Sequence, residues 1–545
     1  MFNLVNPSVL STRKLASLRA SLRGYSVIKR KRQLAVLRNI KSKLVDCTLD
    51  EIVQHASGFI FGKSISQSEC VVRQFLLDRN GGNTLIRKIL ESIGNPRYAI
   101  VYPMPKEWRD MLKSEGINVD EIKSRFAWVI LVFLYFAHGV LSVLHLAAVA
   151  VMLTLRRASQ DTRRYAYFDL LSTANLPAMG SGRSYDICTW YIRWQGHLEG
   201  IESVRHSVIG ANAVTVDDCS VEYTTKPFHK IRGFQNVLHF IAWGVSAIVV
   251  AAADGLRGRW WHAIALTEAA RAKAVHLSDS GYLARDYLFH YSGNVYRPMW
   301  TYEAEAKGSR IICYFYSTSE VVKLPSGYES QHYDWGASSW PLYLVWDSYQ
   351  EKIIRRDIDK EAAIEVVGPI WFSDSEIEVP PFKGITIGVF DIQPHRSVYY
   401  IPMGHHCDFE LEHPEFRIRF LEDIYSVIME CGANMAIKKK REIGRRVKKK
   451  YQKKLEELAI SQNVVMVPPS ISPIRVIEKC QAIISMPFTS TAQYRSEPGN
   501  LNVYYDPTGW LQKEDPGAHG VPILSGIEEL RHWVQVVVAK FPEKS

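Results

Sequence analysis

The sequence predicts an α/β protein of two successive Rossmann-like units behind a helical, basic amino-terminal region. Three observations carry this expectation. From about residue 205 onward, short β-branched runs alternate with helical stretches, the pattern of layered α/β folds. A Pro-rich interval, Val379-Pro380-Pro381, follows Val366-Val367-Gly368-Pro369-Ile370 and divides that pattern in two. The chain has 545 residues, more than one hydrophobic core organises, and its 47% apolar and 23% charged content excludes a largely disordered, collagenous or multi-pass membrane protein. The expected organisation is a basic, mainly helical region at 1–125, an apolar membrane-associated segment or hairpin at 126–157, and Rossmann-like domains at 158–372 and 373–545.

The amino-terminal region is basic for a local reason. Residues 1–43 hold eleven Lys/Arg and no acid, and residues 438–454 hold eleven Lys/Arg and one Glu. Removing both tracts from the net charge of +11 leaves about −10 over the other 485 residues, so general nucleic-acid affinity does not follow. Leu15, Leu18 and Leu22 share one helical stripe, and Leu34, Leu37 and Leu44 another. Such a basic amphipathic pattern suits anionic lipid, an organellar transit peptide, or a solvated helix packed on its own domain. A secretory signal is not indicated, because no apolar core with a small-residue cleavage site is present.

Residues 126–155 are thirty positions without Asp, Glu, Lys or Arg, flanked by Lys123 and Arg125 and by Arg156, Arg157, Arg163 and Arg164. At about 1.5 Å per residue this run exceeds the roughly 30 Å of a bilayer core. Basic residues on both sides allow a helical hairpin turning at His138 and Gly139; the alternative is a long buried helix pair in a soluble domain. A second apolar run, 240–253, has fourteen residues and reads as a core or interfacial helix.

In the first α/β unit, 207–216, 274–277, 311–316 and 342–346 are strand candidates, with helices at 261–272 and 302–307. The second unit reads as strand 385–390, a loop through Asp391 to Arg396, helix 416–432, strand 434–437 and basic helix 441–460. It continues with strand 464–467, helix 474–479, strands 482–485 and 501–505, and helix 525–540. Eight scattered cysteines without a CxxC pair suit a reducing compartment and receive no role. His405-His406 with Cys407 and Asp408 is a poor metal site, since adjacent histidines point apart on any regular element, and Asp357-Ile358-Asp359 lies in a charged helical or linker segment.

The sharpest local pattern is Ala482-Ile483-Ile484-Ser485-Met486-Pro487-Phe488-Thr489-Ser490-Thr491-Ala492. An apolar strand stops and three hydroxyl residues open the next element, which is either a phosphate site at a helix N-terminus or a plain cap. In the front unit Glu303, Glu305 and Asp279, with His276 next, are candidates for taking a proton, and Arg297 for gripping a carboxylate.

With these motifs on the page, the chain resembles polysaccharide biosynthesis proteins with a PFTS motif, and more distantly the two-domain GT-B glycosyltransferases. The resemblance rests on Pro487-Phe488-Thr489-Ser490-Thr491, Tyr504-Tyr505-Asp506-Pro507, Val389-Phe390-Asp391-Ile392-Gln393-Pro394 and Lys438-Lys439-Lys440-Arg441. It also includes Val367 to Phe372, Tyr296 to Glu305 and Tyr314 to Thr318, in order over roughly 225–535. It implies a GT-B-like, metal-independent glycosyltransferase of surface polysaccharide biosynthesis at the cytoplasmic face of an anionic membrane. The expected partners are a nucleotide-sugar donor, as substrate and with no cofactor, and a glycan or lipid-linked acceptor; nucleic acid is not expected. Donor-binding residues are then Thr489, Ser490, Thr491, Lys438, Arg396, Asp506 and Tyr504. The alternatives are a GT-B-like sugar epimerase, a polyol-phosphate transferase, a membrane scaffold, or a nucleic-acid binder acting through residues 438–454.

Overall fold

The structure is a computed structural model. It describes residues 20, 23–24, 34–56, 58, 65–155, 163–177, 186–196, 198–224, 231–290, 296–315, 317, 322–323, 329–330, 335–358, 360–370, 379–382, 384–394, 414–440, 444–469, 471–494 and 501–541.

Apolar residues at helical spacing fold the first region into α1 (Leu34–Asp46), α2 (Asp50–His55), α3 (Ile65–Arg79), α4 (Asn83–Gly94) and α5 (Lys106–Ser114). Their buried faces, including Leu37, Ile40, Leu76, Ile89 and Trp108, join the core beneath the first sheet. A polar tie reinforces that junction. Gln74 is fully buried; its amide donates to Ala337 O and to Ser339 Oγ (2.7 Å), and its Oε1 accepts from Arg297 N (3.1 Å).

The apolar run 126–155 lies in one continuous helix, α6 (Glu121–Leu155). The hairpin alternative is therefore corrected: no turn forms at His138 or Gly139. Gly139 instead serves a close approach, since a Cβ there would lie 2.7 Å from Leu266 Cβ. The short α7 (Ile187–Tyr191) follows, then α8 (Phe234–Leu256) and α9 (Trp261–His276). Residues 274–276, expected in a strand, continue α9 because its Ala-rich, almost wholly buried sequence favours helix to the end.

The first sheet contains β1 (Tyr165–Phe168), β2 (Ser203–His206), β3 (Val214–Val216), β4 (Cys219–Tyr223), β5 (Asp286–His290) and, after α10 (Met299–Ala306), β6 (Arg310–Tyr314). A separate two-stranded ribbon, β7 (Val322–Lys323) with β8 (Glu329–Ser330), precedes β9 (Leu342–Val345), α11 (Ser348–Asp357) and β10 (Ala363–Val366). Of the expected strand 207–216 only β3 forms, at its end; β2 lies before it, and Gly210 at φ +78° turns the chain between the two. The sheet order is β10-β9-β6-β5-β1-β2-β4-β3, parallel throughout except for the β3–β4 pair. Tyr165, Tyr167, Tyr287 and Phe289 enter the core on one face, and Ala166, Phe168, Leu288 and Ile312 the other, the two-residue alternation of a sheet covered on both sides.

The second sheet consists of β11 (Thr386–Phe390), β12 (Asn434–Lys438), β13 (Val464–Val467), β14 (Ala482–Ser485), β15 (Asn502–Asp506) and β16 (Ile523–Ser525), in the order β13-β12-β11-β14-β15-β16 with every pair parallel. Helices α12 (Pro414–Glu430), α13 (Lys449–Ala459), α14 (Pro473–Lys479) and α15 (Gly526–Lys540) lie between and after these strands. The expected basic helix 441–460 begins only at Lys449: Gly444 at φ +53° and a short 3-10 turn, Gly444–Arg446, interrupt it. The six-strand order is that of a doubly wound Rossmann sheet, with its switch point between β11 and β14. Counting β1, β2, β4, β5, β6 and β9 gives the same order in the first sheet, with the switch point between β1 and β5.

Candidate functional site

Loops leaving the carboxyl ends of parallel strands are free of ladder pairing, and where the strand order reverses they part to leave a crevice. At the first switch point, Asp169 follows β1. Loss of hydration pushes its carboxyl up to about 6, while its own backbone neighbour Leu170 and the Tyr167 hydroxyl pull the other way. The two flanking strands end in histidines. His206 closes β2; its Nδ1 accepts from Val208 N (3.2 Å), so the proton sits on Nε2, and burial lowers its basicity. His290 closes β5, 5.3 Å ring to ring from Tyr314, and burial pulls it down to about 4. Both imidazoles are thus neutral near pH 7, and Asp169 is the group poised to exchange a proton there.

At the second switch point β11 ends in Asp391 and β14 in the Ser485-to-Thr491 turn. Burial raises the Asp391 carboxyl to about 6 against the pull of the Tyr451 hydroxyl, which donates to its Oδ2, and of Arg417. Arg417, itself buried, donates to Ile392 O (2.6 Å) and pins the loop behind Asp391 to α12. Lys438, the last residue of β12, donates to Lys439 O (2.8 Å) and Pro469 O (3.2 Å); burial lowers it to about 8 and Asp391 partly restores it.

Three hydroxyls meet in the turn after β14. Thr491 Oγ1 lies 3.1 Å from Ser485 Oγ and 3.3 Å from Thr489 Oγ1, and Thr489 also donates to Met486 O (2.8 Å). Tyr504 braces the turn from below: its hydroxyl donates to Thr489 O (2.8 Å) and accepts from Gln493 Nε2 (3.0 Å). The element opened by Ser490 is a four-residue 3-10 turn, Ser490–Gln493, rather than a full helix, which corrects the expectation of a helix N-terminus.

Two further features single out these edges. Among the described residues, the non-glycine residues with left-handed backbone are Leu170 beside Asp169, Phe488 in the hydroxyl turn, His519, and Asp217 and Asp218 in the β3–β4 hairpin. Outside the hairpin, strain is thus stored at carboxyl-edge loops, where binding sites tend to hold it. Some of the buried polar atoms without a partner among the described residues also lie there: His206 Nε2, Tyr314 OH, Asp391 Oδ1, Gln393 Oε1 and Gln493 Oε1. One polar contact joins the two units. Asp347, just past β9, caps α11 by accepting from Gln350 N (2.8 Å), and its Oδ2 lies 2.8 Å from Nδ1 of His519, in the loop leaving β15.

Of the residues expected from sequence, Thr489, Ser490, Thr491 and Lys438 stand together on the second edge. Arg396 lies outside the described residues, as do His405, His406, Cys407 and Asp408. Asp506 accepts from Thr508 N (2.9 Å), Thr508 Oγ1 (2.6 Å) and Leu511 N (2.7 Å), so it shapes its own turn, and Tyr504 is a buried brace rather than a lining residue. The front-unit candidates do not converge. Glu303 lies 3.1 Å from His276, in the last turns of α10 and α9 that lead into the amino ends of β6 and β5. Asp279 caps the turn into β5 by accepting from Gly281 N (2.8 Å). Arg297 is buried; it pairs with Glu305, donates to Thr301 Oγ1 (3.2 Å) and Ser339 O (3.3 Å), and stacks on Tyr302 at 3.7 Å. Asp169, His206 and His290 were missed; the available signal was an aromatic run, Tyr165-Ala166-Tyr167-Phe168, ending on an acid.

The family model described as Polysaccharide biosynthesis PFTS motif protein matches residues 243–534, more than half of the chain. No curated protein matches. Solved structures with partial likeness include the crystal structure of TarM, with 13% identity and a TM-score of 0.28 over 50% of this chain and 53% of that one. The apo form of the lipopolysaccharide outer core galactosyltransferase WaaB has 12% identity and a TM-score of 0.32 over 70% and 96%. Methanocaldococcus jannaschii UDP-GlcNAc 2-epimerase, in complex with UDP-GlcNAc and UDP, has 10% identity and a TM-score of 0.28 over 52% and 75%. The likeness to TarM spans about half of that protein, and scores of this size do not establish a common overall arrangement.

Proposed function

The chain belongs to the polysaccharide biosynthesis PFTS motif protein family, and from that premise we propose that it is a glycosyltransferase using a nucleotide-activated sugar and a glycan or lipid-linked acceptor. The observation that carries this reading is the pair of switch points, one ending in a proton-accepting carboxyl and the other in a hydroxyl turn that shares its sheet edge with a buried ammonium. In this reading the donor phosphate accepts hydrogen bonds from the hydroxyls of Ser490 and Thr491, Thr489 holds the turn by donating to Met486 O, and Lys438 opposes the charge that builds on the leaving phosphate oxygen. Asp169, ionised above about pH 6, takes the proton of the acceptor hydroxyl. The acceptor oxygen bonds to the anomeric carbon as the bond from that carbon to the phosphate oxygen breaks, and the nucleotide leaves with the electron pair. Neutral His206 and His290 flank the acid without competing for its proton. His519 against Asp347 ties the two units together, which holds donor and acceptor in register.

The test is a panel of nucleotide sugars incubated with the full chain, with and without a glycan acceptor, reading nucleotide release and product mass. Acceptor-dependent release with gain of one sugar is expected. An epimerised sugar nucleotide formed without acceptor, or no turnover of any donor, contradicts the reading.

A further inference from the structure

Helices α6 and α8 lie side by side on the outside of the first unit, and each is apolar on the side turned away from the protein as well as on the side turned toward it. α6 is buried at Ser124, Trp128, Gly139, Val143 and Ala150, positions on one stripe that spans nearly its whole length. Along that stripe it is held closely. Trp128 meets Trp260 edge-on at 5.2 Å, Gly139 meets Leu266 of α9, and a Cβ on Gly244 of α8 would lie 2.6 Å from Val143 Cγ1. The opposite stripe carries Phe126 (68% exposed), Phe133 (64%), Leu141 (65%), Leu144 (57%) and Leu155 (78%). α8 adds Phe234 (73%), Leu238 (49%), Val245 (59%) and Val249 (61%) to the same outer layer.

Both helices are long and apolar enough to cross a membrane. Their packing argues for another arrangement. A helix gripped along one side by α9, which carries Glu268, Arg271 and Lys273, cannot be surrounded by hydrocarbon without dragging those charges in. Its free side, however, has no charged residue from 126 to 155 to hold water. Cations border the layer: Arg125 in the second turn of α6, Arg156 and Arg157 after it in sequence, Arg232 before α8, and Arg257 and Arg259 after it. Glu121 is drawn inward to Arg109 and Lys113, and Asp254 is shared by His262 at 2.7 Å and by Arg257 and Arg259 at 3.6 Å each, so one acid stands against two cations at that end. An apolar strip with basic ends complements anionic lipid headgroups over an acyl layer, whereas two copies placed face to face set like charges against each other. We propose that α6 and α8 together form a docking face that lies in the plane of an anionic membrane, buried to the depth of its outer side chains and not spanning it. This inference stands independently of the reaction proposed above.

The full-length protein should co-sediment with phosphatidylcholine vesicles containing phosphatidylglycerol, and more weakly with phosphatidylcholine alone. Leu134→Glu, Leu141→Glu and Val245→Glu combined, all on the exposed side, should lower vesicle affinity by about tenfold or more with circular dichroism unchanged. Unchanged affinity in that variant overturns the proposal, as does absence of wild-type binding. A fluorescent residue placed at Ile130, Leu141 or Met152 should report one shallow depth at all three sites to lipid-borne quenchers; a deep middle between shallow ends means a spanning helix and overturns it. Sedimentation without lipid closes the remaining route: a dimer dissociated by the triple variant would assign the face to a second copy instead.

Discussion

Asp169 carries the chemistry in this account through its surroundings rather than its identity. Its carboxyl is raised to about 6, so the base form is lost as pH falls through that value. The profile of kcat/KM should therefore climb with pH through about 6 and level off above it. Asp169→Asn should cut turnover by about a hundredfold or more with donor affinity kept. Retained turnover would give the proton to another group. On the second edge, Thr489→Ala, Ser490→Ala and Thr491→Ala each remove a hydroxyl, and at least one should weaken donor binding by about ten- to a hundredfold by calorimetry. Wild-type affinity in all three would reduce the turn to a local cap. Arg297 changes meaning between sequence and structure. With its guanidinium spent on Thr301, Ser339, Glu305 and the Tyr302 ring, Arg297→Lys should lower the melting temperature and leave donor affinity alone. The hydroxyl turn was legible because a β-branched run stopping at three hydroxyls is a local pattern. Asp169 was not, because it becomes distinctive only when β2 and β5, both remote in sequence, close around it.

Among elements, α6 and α9 show how glycine sets helix spacing. Gly139→Ala places a methyl 2.7 Å from Leu266 Cβ and 2.9 Å from its Cγ, atoms near the α9 backbone that cannot swing aside. The overpacking cost of about 1–3 kcal/mol should exceed the gain in helix propensity of about 1 kcal/mol, for a net loss in denaturant unfolding. Gly255→Ala, where a Cβ meets nothing within 4 Å, should instead be neutral or slightly stabilising. Equal effects at the two sites would mean that the α6–α9 contact is looser than described. The uninterrupted α6 was hidden from sequence by the very residue that makes the contact, since a mid-run glycine also reads as a turn. In the second sheet β11 to β15 were legible from β-branched runs such as Ile483-Ile484. In the first, β1, β2, β4, β5 and β10 were not, because strands of four or five residues rich in Tyr, Ala, Ser and Glu lack that signature.

At the scale of the molecule, the two doubly wound units are joined by a polar link between His519, in the connection from β15 to β16, and Asp347, just past β9. Asp347 also caps α11, so Asp347→Ser, which keeps a capping oxygen but loses the reach to His519, isolates the link. Slower turnover at undiminished donor affinity is expected; unchanged turnover would show that the edges are held by other contacts. Val379-Pro380-Pro381 lies between the last strand of the first sheet and the first strand of the second, but how the two sheets are joined was not legible, because it depends on loop residues such as His519 that follow no periodic pattern. The most direct measurement of the central claim is a structure of the full chain with a nucleotide sugar bound. The account predicts the donor phosphate against the Ser485-to-Thr491 turn with the anomeric carbon facing Asp169 across the cleft. A nucleotide seated anywhere other than between these two edges would contradict it.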